Sequence, residues 1–104
     1  MTPSFAGKVA VVTGGGNGIG RATAQQLLAG GAAVAIWDRD AAALGAWAAE
    51  AQTGARVLPL RVDVRDRLAI DDAVERTVAH FGAIHVLINN AGVVRDAQLV
   101  KVVD

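Results

Sequence analysis

The stretch TGGGNGIG at residues 13–20 places several glycines between a short β-branched segment and an amphipathic one. This order predicts a strand that enters a helix through a glycine turn. The N–H groups and the positive dipole end of a helix N-terminus bind phosphate, and a side chain in the turn would hold the phosphate away. A glycine turn without a ligand is the alternative, but its position between strand and helix favours a dinucleotide pyrophosphate.

The spacing of these glycines is specific. The common fingerprint G-x-G-x-x-G does not fit, whether it is started at Gly14 or at Gly16. The pattern G-x-x-x-G-x-G does fit, on Gly14, Gly18 and Gly20. We therefore expect these three positions to approach the phosphates, while the intervening Gly15 and Gly16 only ease the bend.

Acidic residues follow the next two predicted strands. Asp38 ends the second strand, where a carboxylate accepts hydrogen bonds from the adenosine ribose and repels a 2′-phosphate, which favours NAD(H) over NADP(H). Taken alone, Asp38 would be a solvated turn aspartate. Asp63 ends the third strand, and it could meet the adenine together with the Val64 N–H, or it could cap the following turn. The sequence leaves these two roles of Asp63 open.

The elements that position these residues alternate along the chain. Strands are predicted at residues 8–13, 33–37, 56–62 and 84–88. The first helix starts at Gly18, the other two are capped by Asp40 and Asp66, and glycines end all three. Right-handed crossovers, with the Pro59 strand at an edge, give the strand order 3-2-1-4, the first half of a doubly wound, Rossmann-type parallel sheet.

Two further expectations concern packing. The fourth strand is apolar nearly throughout, which indicates burial on both faces. Helical spacing places a set of mostly apolar residues on one face of each helix, and these sets are Ile19, Ala22, Thr23 and Leu27, then Leu44, Trp47, Ala48 and Ala51, then Ile70, Val74, Thr77, Val78 and Phe81. His80 and His85 are expected to be structural or surface residues.

Composition limits the remaining possibilities. A chain of 104 residues fits one domain, 1–104, and ten basic residues balance ten acidic ones, so neither nucleic acid nor an anionic membrane is an expected partner. The absence of cysteine excludes disulfides and thiolate chemistry, and with no signal peptide we expect a cytoplasmic protein. A mean hydropathy of +0.38 suggests that part of the surface is normally covered. Residues 93–104 begin what could be another helix, so we expect the front portion of a larger domain.

Four motifs in chain order resemble the short-chain dehydrogenase/reductase family: TGGGNGIG, Asp38, Asp63-Val64 and Asn89-Asn90-Ala91-Gly92. The resemblance runs from about Phe5 to the end of the chain. It implies a Rossmann-type NAD(P)-dependent oxidoreductase that acts on an alcohol or carbonyl compound. It also implies a homo-oligomer for the complete protein.

The resemblance implies roles for particular residues. The turn from Gly14 to Gly20, including Ile19, would line the pyrophosphate, Asp38 would hold the ribose, and Asp63 with Val64 would flank the adenine. Three residues after the fourth strand would line the cofactor cleft: Asn90, Ala91 and Gly92. Asn17 is neutral where NADPH-preferring relatives often carry a basic residue, which agrees with NAD(H).

The family's catalytic groups are a tyrosine with a lysine four residues on, a serine and an asparagine. The chain has no tyrosine, and neither Ser4, Lys8 nor Lys101 stands in the matching setting, so no catalytic residue is assigned. No metal ligands are assigned either. Two hypotheses remain: the cofactor-binding half of a dehydrogenase, or a non-catalytic nucleotide-binding or dimerisation module.

The segment NNAGVVRDAQLVK also resembles 3-oxoacyl-(acyl-carrier-protein) reductases, in which an Arg-Asp pair follows NAG. This resemblance implies a carbonyl or alcohol substrate, including an acyl thioester, for the full-length protein. Arg95 and Asp96 could alternatively form a local surface pair.

Overall fold

The protein is built from alternating strands and helices in the predicted order. A computed structural model describes residues 4–91, and the predicted features at 92–104 lie outside this part of the chain. The elements are, in chain order, β1 (Val9–Thr13), α1 (Gly18–Ala29), β2 (Ala33–Asp38), α2 (Ala41–Gln52), β3 (Val57–Arg61), α3 (Arg67–Phe81) and β4 (Val86–Asn89).

The four strands form one parallel sheet in the order β3-β2-β1-β4, which confirms the predicted Rossmann-type arrangement. The register pairs Thr13 with Trp37 of β2 and with Asn89 of β4, so the carboxyl ends of three strands reach the same edge. Within residues 4–91, β3 pairs with β2 alone, and the Pro59 strand therefore lies at an edge as predicted.

The fourth strand begins two residues later than predicted because a histidine side chain enters the ladder. Nδ1 of His85 accepts a hydrogen bond from the Val9 N–H at 2.9 Å. The N–H of His85 donates to the Val9 carbonyl at 2.8 Å. An imidazole nitrogen thus takes the place of a backbone acceptor, and β4 begins only at Val86.

Apolar side chains pack on both faces of the sheet. Neighbouring residues of β1 contribute to opposite faces, as the twofold period of a strand requires: Val11 packs on the face that α3 covers, and Val12 on the face that α1 and α2 cover. The α3 face contains Val11, Ala35, Trp37, Leu60, Val62, Ile70, Ala73 and Ile84. The opposite face contains Val12, Ala24, Ala32, Val34, Ile36, Leu44, Trp47 and Val57.

The packed face of α1 differs from the predicted one. Gly20 and Ala24 are its buried residues, whereas Ile19 is 78% exposed and Ala22 is exposed as well, so the predicted apolar face is not the buried one. The absence of a side chain at Gly20 lets the helix approach the end of β1, and this contact fixes the rotation of the helix. In α2, Trp47 is fully buried as predicted, but Ala48 is exposed.

The expected burial of the fourth strand on both faces is found only in part: Leu87 packs against the cluster on the α3 face and Ile88 against the cluster on the opposite face. The three apolar residues of β4, Val86, Leu87 and Ile88, are each only partly buried. Within residues 4–91, β4 pairs with β1 alone, so no described element covers its outer edge.

The helix ends follow the predicted capping residues. The Asp40 carboxylate accepts hydrogen bonds from Ala42 and Ala43 at the start of α2. Asp66 caps α3 in the same way, through two backbone N–H groups. Gly82 ends α3 in the left-handed region with φ of +91°, a conformation that glycine adopts without steric cost.

Two exposed glycines provide a matched test of this account. Gly45 lies inside α2 and Gly82 follows α3, and at both positions an added Cβ would meet no atom within 4 Å. Alanine favours a helix interior and disfavours positive φ. We therefore expect Gly45→Ala to raise the free energy of unfolding and Gly82→Ala to lower it, each by about 1 kcal/mol. Urea unfolding of the intact protein measures both changes, and a change of the same sign in the two variants would contradict the prediction.

Candidate functional site

Residues from all four predicted motifs meet at the carboxyl edge of the sheet. A cleft of about 470 Å³ opens there, and its walls include Gly14, Asp38, Asp63, Val64 and Ala91. The remaining described members of the predicted set lie outside these walls, in the turn that follows Gly14 and directly before Ala91: Asn17, Gly18, Ile19, Gly20 and Asn90. Gly92 lies outside the described residues.

The ends of the glycine turn are in close contact. A Cβ placed on Gly20 would collide with the Gly14 carbonyl oxygen and lie 2.6 Å from Nδ2 of Asn90. Nδ2 of Asn90 donates to the same Gly14 carbonyl at 3.3 Å. A Cβ on Gly14 would lie 3.1 Å from Cα of Ala91. A side chain does not fit at position 20, and at position 14 the φ of +64° favours glycine as well. The contacts bring together β1, α1 and the segment after β4.

The middle of the turn is more constrained than the sequence suggested. Gly15 and Gly16 are buried, and a Cβ on Gly16 would lie 2.6 Å from the Ala43 Cβ and 2.7 Å from Oδ2 of Asp38. A Cβ on Gly15 would lie 3.1 Å from the Val12 carbonyl oxygen. The expectation that these two glycines only ease the bend was therefore wrong, because a Cβ does not fit at Gly16 and would be in tight contact at Gly15.

The N-terminus of α1 differs from those of α2 and α3. Asn17 occupies the N-cap position of α1, but its side chain makes no capping hydrogen bond, whereas aspartates cap the other two described helices. No acidic residue lies in the first turn of α1. Gly18 begins the helix at φ of +58°, and Ile19 is exposed beside it. This end of α1 can therefore receive an anion.

Asp38 joins the glycine turn to the end of β2. Oδ2 accepts a hydrogen bond from the Gly16 N–H at 2.9 Å, and Oδ1 accepts one from the Asp40 N–H at 2.9 Å. Two backbone amides thus fix the carboxylate in the wall of the cleft. Because an ionised carboxylate has about four acceptor positions, each oxygen can accept a further hydrogen bond.

Asp63 forms a local ion pair next to the cleft. Arg65 donates to its carboxylate from Nε at 3.0 Å, from Nη2 at 2.9 Å and from the backbone N–H at 3.0 Å. The side-chain hydrogen bonds from Arg65, followed by the backbone one, lower the pKa of Asp63 from 3.8 to about 2. The carboxylate thus binds the turn that follows it, while Asp63 and Val64 also line the cleft. A contact with adenine stays a prediction.

Thr13 connects β1 to the segment that follows β4, a role the sequence analysis missed. Its side chain is fully buried, and its hydroxyl donates to Oδ1 of Asn89 at 3.0 Å. The same oxygen accepts hydrogen bonds from the N–H groups of Asn90 at 2.9 Å and Ala91 at 3.2 Å. One hydroxyl therefore uses its donor and both acceptor positions to hold Asn90 and Ala91 beside the glycine turn.

The sequence did not identify two further residues of the site, because an isolated arginine gives a weak signal. Arg39 and Arg65 line the cleft. Arg39 is the next residue after Asp38, and Arg65 is the second residue after Asp63. For the Thr13 hydroxyl, the sequence does contain a signal. Thr13 is a polar residue at the end of an apolar strand, immediately before the glycine turn.

Metal and membrane features are not found in the described part of the chain. Residues 4–91 contain no group of three or more His, Asp or Glu side chains placed to hold a metal ion. None of the helices among these residues has the length and apolar character needed to cross a membrane.

The fold and the glycine turn define a Rossmann-type α/β protein with its candidate site at the carboxyl edge of the sheet. The chain belongs to the short-chain dehydrogenase family, which matches residues 8–104. This finding confirms the resemblance drawn from the four motifs and places the chain in a family of oxidoreductases.

Individual relatives support this assignment. The 3-oxoacyl-(acyl-carrier-protein) reductase of Escherichia coli is 40% identical over 101 residues, which cover 97% of this chain and 41% of that protein. The cis-4-hydroxycyclohexanecarboxylate dehydrogenase of Sinomonas cyclohexanicum is 43% identical over 93 residues, covering 89% of this chain and 37% of that protein. The chain thus spans about two fifths of the length of these relatives.

A solved structure gives the same result at the level of the fold. A 3-ketoacyl-(acyl-carrier-protein) reductase from Brucella melitensis, complexed with NADH, matches with a TM-score of 0.75 and 38% identity. The match covers 81% of this chain and 34% of the reductase. The cofactor named there belongs to that reductase.

The Thr13 hydroxyl provides a direct test of how the site is held. Thr13→Val keeps the shape of the side chain but leaves the N–H groups of Asn90 and Ala91 without their acceptor. We expect it to lower the free energy of unfolding by about 2 kcal/mol. Thr13→Ser keeps the oxygen and loses one methyl group, so its loss should be about 1 kcal/mol or less. Urea unfolding compares the two variants, and an equal or larger loss for serine would refute the role of the hydroxyl.

Proposed function

We propose that this chain holds the cofactor of an NAD(H)-dependent oxidoreductase that interconverts an alcohol and a ketone. The observation that carries the proposal is the fixed Asp38 carboxylate in the wall of the cleft, directly beside the glycine turn of a short-chain dehydrogenase. The nicotinamide ring of the bound cofactor would accept or release the hydride.

The glycine turn fits the pyrophosphate. Position 20 admits no Cβ, and Gly18 turns the chain into α1 at positive φ, so the backbone itself forms the surface offered to a ligand. The start of α1 has no side-chain cap, and its N–H groups and dipole favour an anion. The backbone from Gly14 to Gly20 would therefore bind the two phosphates, with the exposed Ile19 side chain next to them.

The cleft fits the adenosine half of NAD(H). Asp38 would accept hydrogen bonds from the ribose hydroxyls, and Asp63 with Val64 would flank the adenine. A 2′-phosphate carries a charge of about −1.5 to −2, so the fixed Asp38 carboxylate would repel it. Arg39 also lines the cleft and carries a positive charge. However, its side chain is exposed, whereas two backbone amides hold the Asp38 carboxylate in place. The neutral Asn17 adds no cation at the turn, and together these features favour NAD(H) over NADP(H).

The other half of the cofactor would extend toward the segment after β4. The Thr13 hydroxyl holds the backbone of Asn90 and Ala91 at the edge of the sheet. We propose that these residues, with Gly92, line the cleft on the nicotinamide side. The described residues bind and orient the cofactor in this proposal, and no proton-transfer group is assigned among them.

The substrate class rests on the relatives. Similarity to reductases of 3-oxoacyl and 3-ketoacyl groups on acyl carrier protein supports a 3-oxoacyl thioester as the substrate of the whole protein. The cis-4-hydroxycyclohexanecarboxylate dehydrogenase is similar to this chain to about the same extent. We therefore also propose a wider substrate class, defined by the reaction that these relatives share: oxidation of a secondary alcohol or reduction of the corresponding ketone.

Replacing Asp38 tests the cofactor preference. Asp38→Asn removes the negative charge and keeps an oxygen that can accept from the Gly16 N–H. We expect the intact protein to bind NADH at least about tenfold more tightly than NADPH, and the variant to bind the two within about threefold, since tenfold corresponds to about 1.4 kcal/mol. Fluorescence titration with each nucleotide measures the dissociation constants.

Asp40→Asn is the matched control. It removes the same charge two residues away and keeps a residue that caps helices well, so the preference for NADH should persist. Equal affinity of the unmodified protein for NADH and NADPH would refute the assignment of Asp38.

A further inference from the structure

A buried tryptophan outside the family motifs is bonded to the glycine turn. Nε1 of Trp47 donates to the Gly15 carbonyl at 2.9 Å, across the interface between α2 and the turn. The Trp47 side chain is fully buried. A core residue of α2 thus reaches the middle of the segment to which we assign phosphate binding.

Arg21 stacks on this indole, and Glu50 pairs with Arg21. The guanidinium carbon of Arg21 lies 4.5 Å from the centre of the Trp47 ring, at cation–π distance. Nη2 of Arg21 also pairs with Oε1 of Glu50 at 2.9 Å. Arg21 belongs to α1 and Glu50 to α2, so the pair joins both helices around the tryptophan. We call Trp47, Arg21 and Glu50 the indole clamp.

The turn depends on such contacts because its own residues are flexible. Four of the five residues at 14–18 are glycine, and glycine loses more conformational freedom on ordering than any other residue. The Gly14 N–H is held by the Trp37 carbonyl at 2.7 Å and the Gly16 N–H by Asp38. Trp47 holds the Gly15 carbonyl between them.

We propose that Trp47 is a positioning residue that sets the phosphate-binding turn through the Gly15 carbonyl, with Arg21 and Glu50 fixing its indole. The inference rests on the proposed function of the turn. A turn held in its binding conformation before the ligand arrives avoids part of the ordering cost, and this gain appears as affinity. The gain in affinity should concern the phosphates, because Trp47 bonds to the turn and none of the three clamp residues lines the cleft around Asp38 and Asp63.

Comparing ADP with adenosine separates positioning of the turn from general support of the core. Both ligands would use the adenosine cleft, and only ADP carries a pyrophosphate. Trp47→Phe removes the N–H donor and keeps an aromatic ring in the core. Competition against NADH gives the affinity of each ligand, and urea unfolding gives the stability.

Ile84→Val is the matched control on the other face of the sheet. Ile84 is fully buried in the cluster on the α3 face and precedes β4, at the opposite end of that strand from the carboxyl edge, so the substitution loosens the core without touching the cleft lining. We expect Trp47→Phe to weaken ADP binding about fivefold, which is the size of one net hydrogen bond, while the affinity for adenosine stays within about twofold. Ile84→Val should change neither affinity by more than about twofold, at a comparable loss of stability.

Arg21→Lys keeps the test decisive if Trp47→Phe fails to fold. Lysine keeps the positive charge but lacks the flat guanidinium that stacks on the indole. We expect the affinity for ADP to fall about twofold to threefold and that for adenosine to be unchanged, because a single cation–π contact of a partly buried arginine contributes modestly.

The outcomes are distinct. Selective loss of ADP affinity in the two clamp variants supports the inference. Equal losses for ADP and adenosine, or an unchanged ADP affinity, overturn it and leave the proposed function standing. If the unmodified protein binds neither NADH nor ADP, the proposed function fails, and this inference fails with it.

Discussion

The close approach of Gly20 to the Gly14 carbonyl is the contact on which the candidate site depends. No side chain fits between the first turn of α1 and the end of β1. Because the two backbones meet there, the start of α1 lies at the carboxyl edge of the sheet and Ile19 turns away from the core. Asn90 closes the same point from the β4 side, through its bond to Gly14. The contacts around Gly14 and Gly20 therefore fix the positions of β1, α1 and the segment after β4 relative to one another.

Side chains from outside the turn keep this geometry in place. Asp38 holds the Gly16 N–H, Trp47 holds the Gly15 carbonyl, and Thr13 holds the residues after β4. Each of these groups is buried or partly buried, so each replaces contacts with water by a fixed partner. A glycine-rich turn has little stability of its own, and its order here comes from strands and helices that are themselves well packed.

Elements and their order were predictable because they depend on local periodicity, glycine positions and capping residues. Asp40, Asp66 and Gly82 mark helix ends in the structure as they do in the sequence. Strand order followed from crossover handedness and the edge position of Pro59. Packing that depends on close contact between distant segments was not predictable. The rotation of α1 and the half-buried β4 are examples.

The residues of the candidate site likewise fall into those that the sequence predicts and those that only the fold brings together. Asp38 and the spaced glycines were identifiable because their spacing relative to strands is a known signature. The hydrogen bonds of Thr13 and Trp47 join residues far apart in sequence, and each residue alone looks like an ordinary core position. The two inner glycines, Gly15 and Gly16, were expected only to ease the bend, because the sequence does not show that Ala43 and Val12 pack against them.

Titration of the ¹⁵N-labelled intact protein with NADH, followed through its backbone amide signals, tests the central claim most directly. We predict saturable shifts that are largest for the amides of residues 14–20, with smaller ones at Asp38, Asp63 and Val64. Amides on α3, away from the carboxyl edge, should stay unchanged. Shifts confined to other surfaces, or no saturable shift in the glycine turn, would contradict the assignment of this edge as the cofactor site.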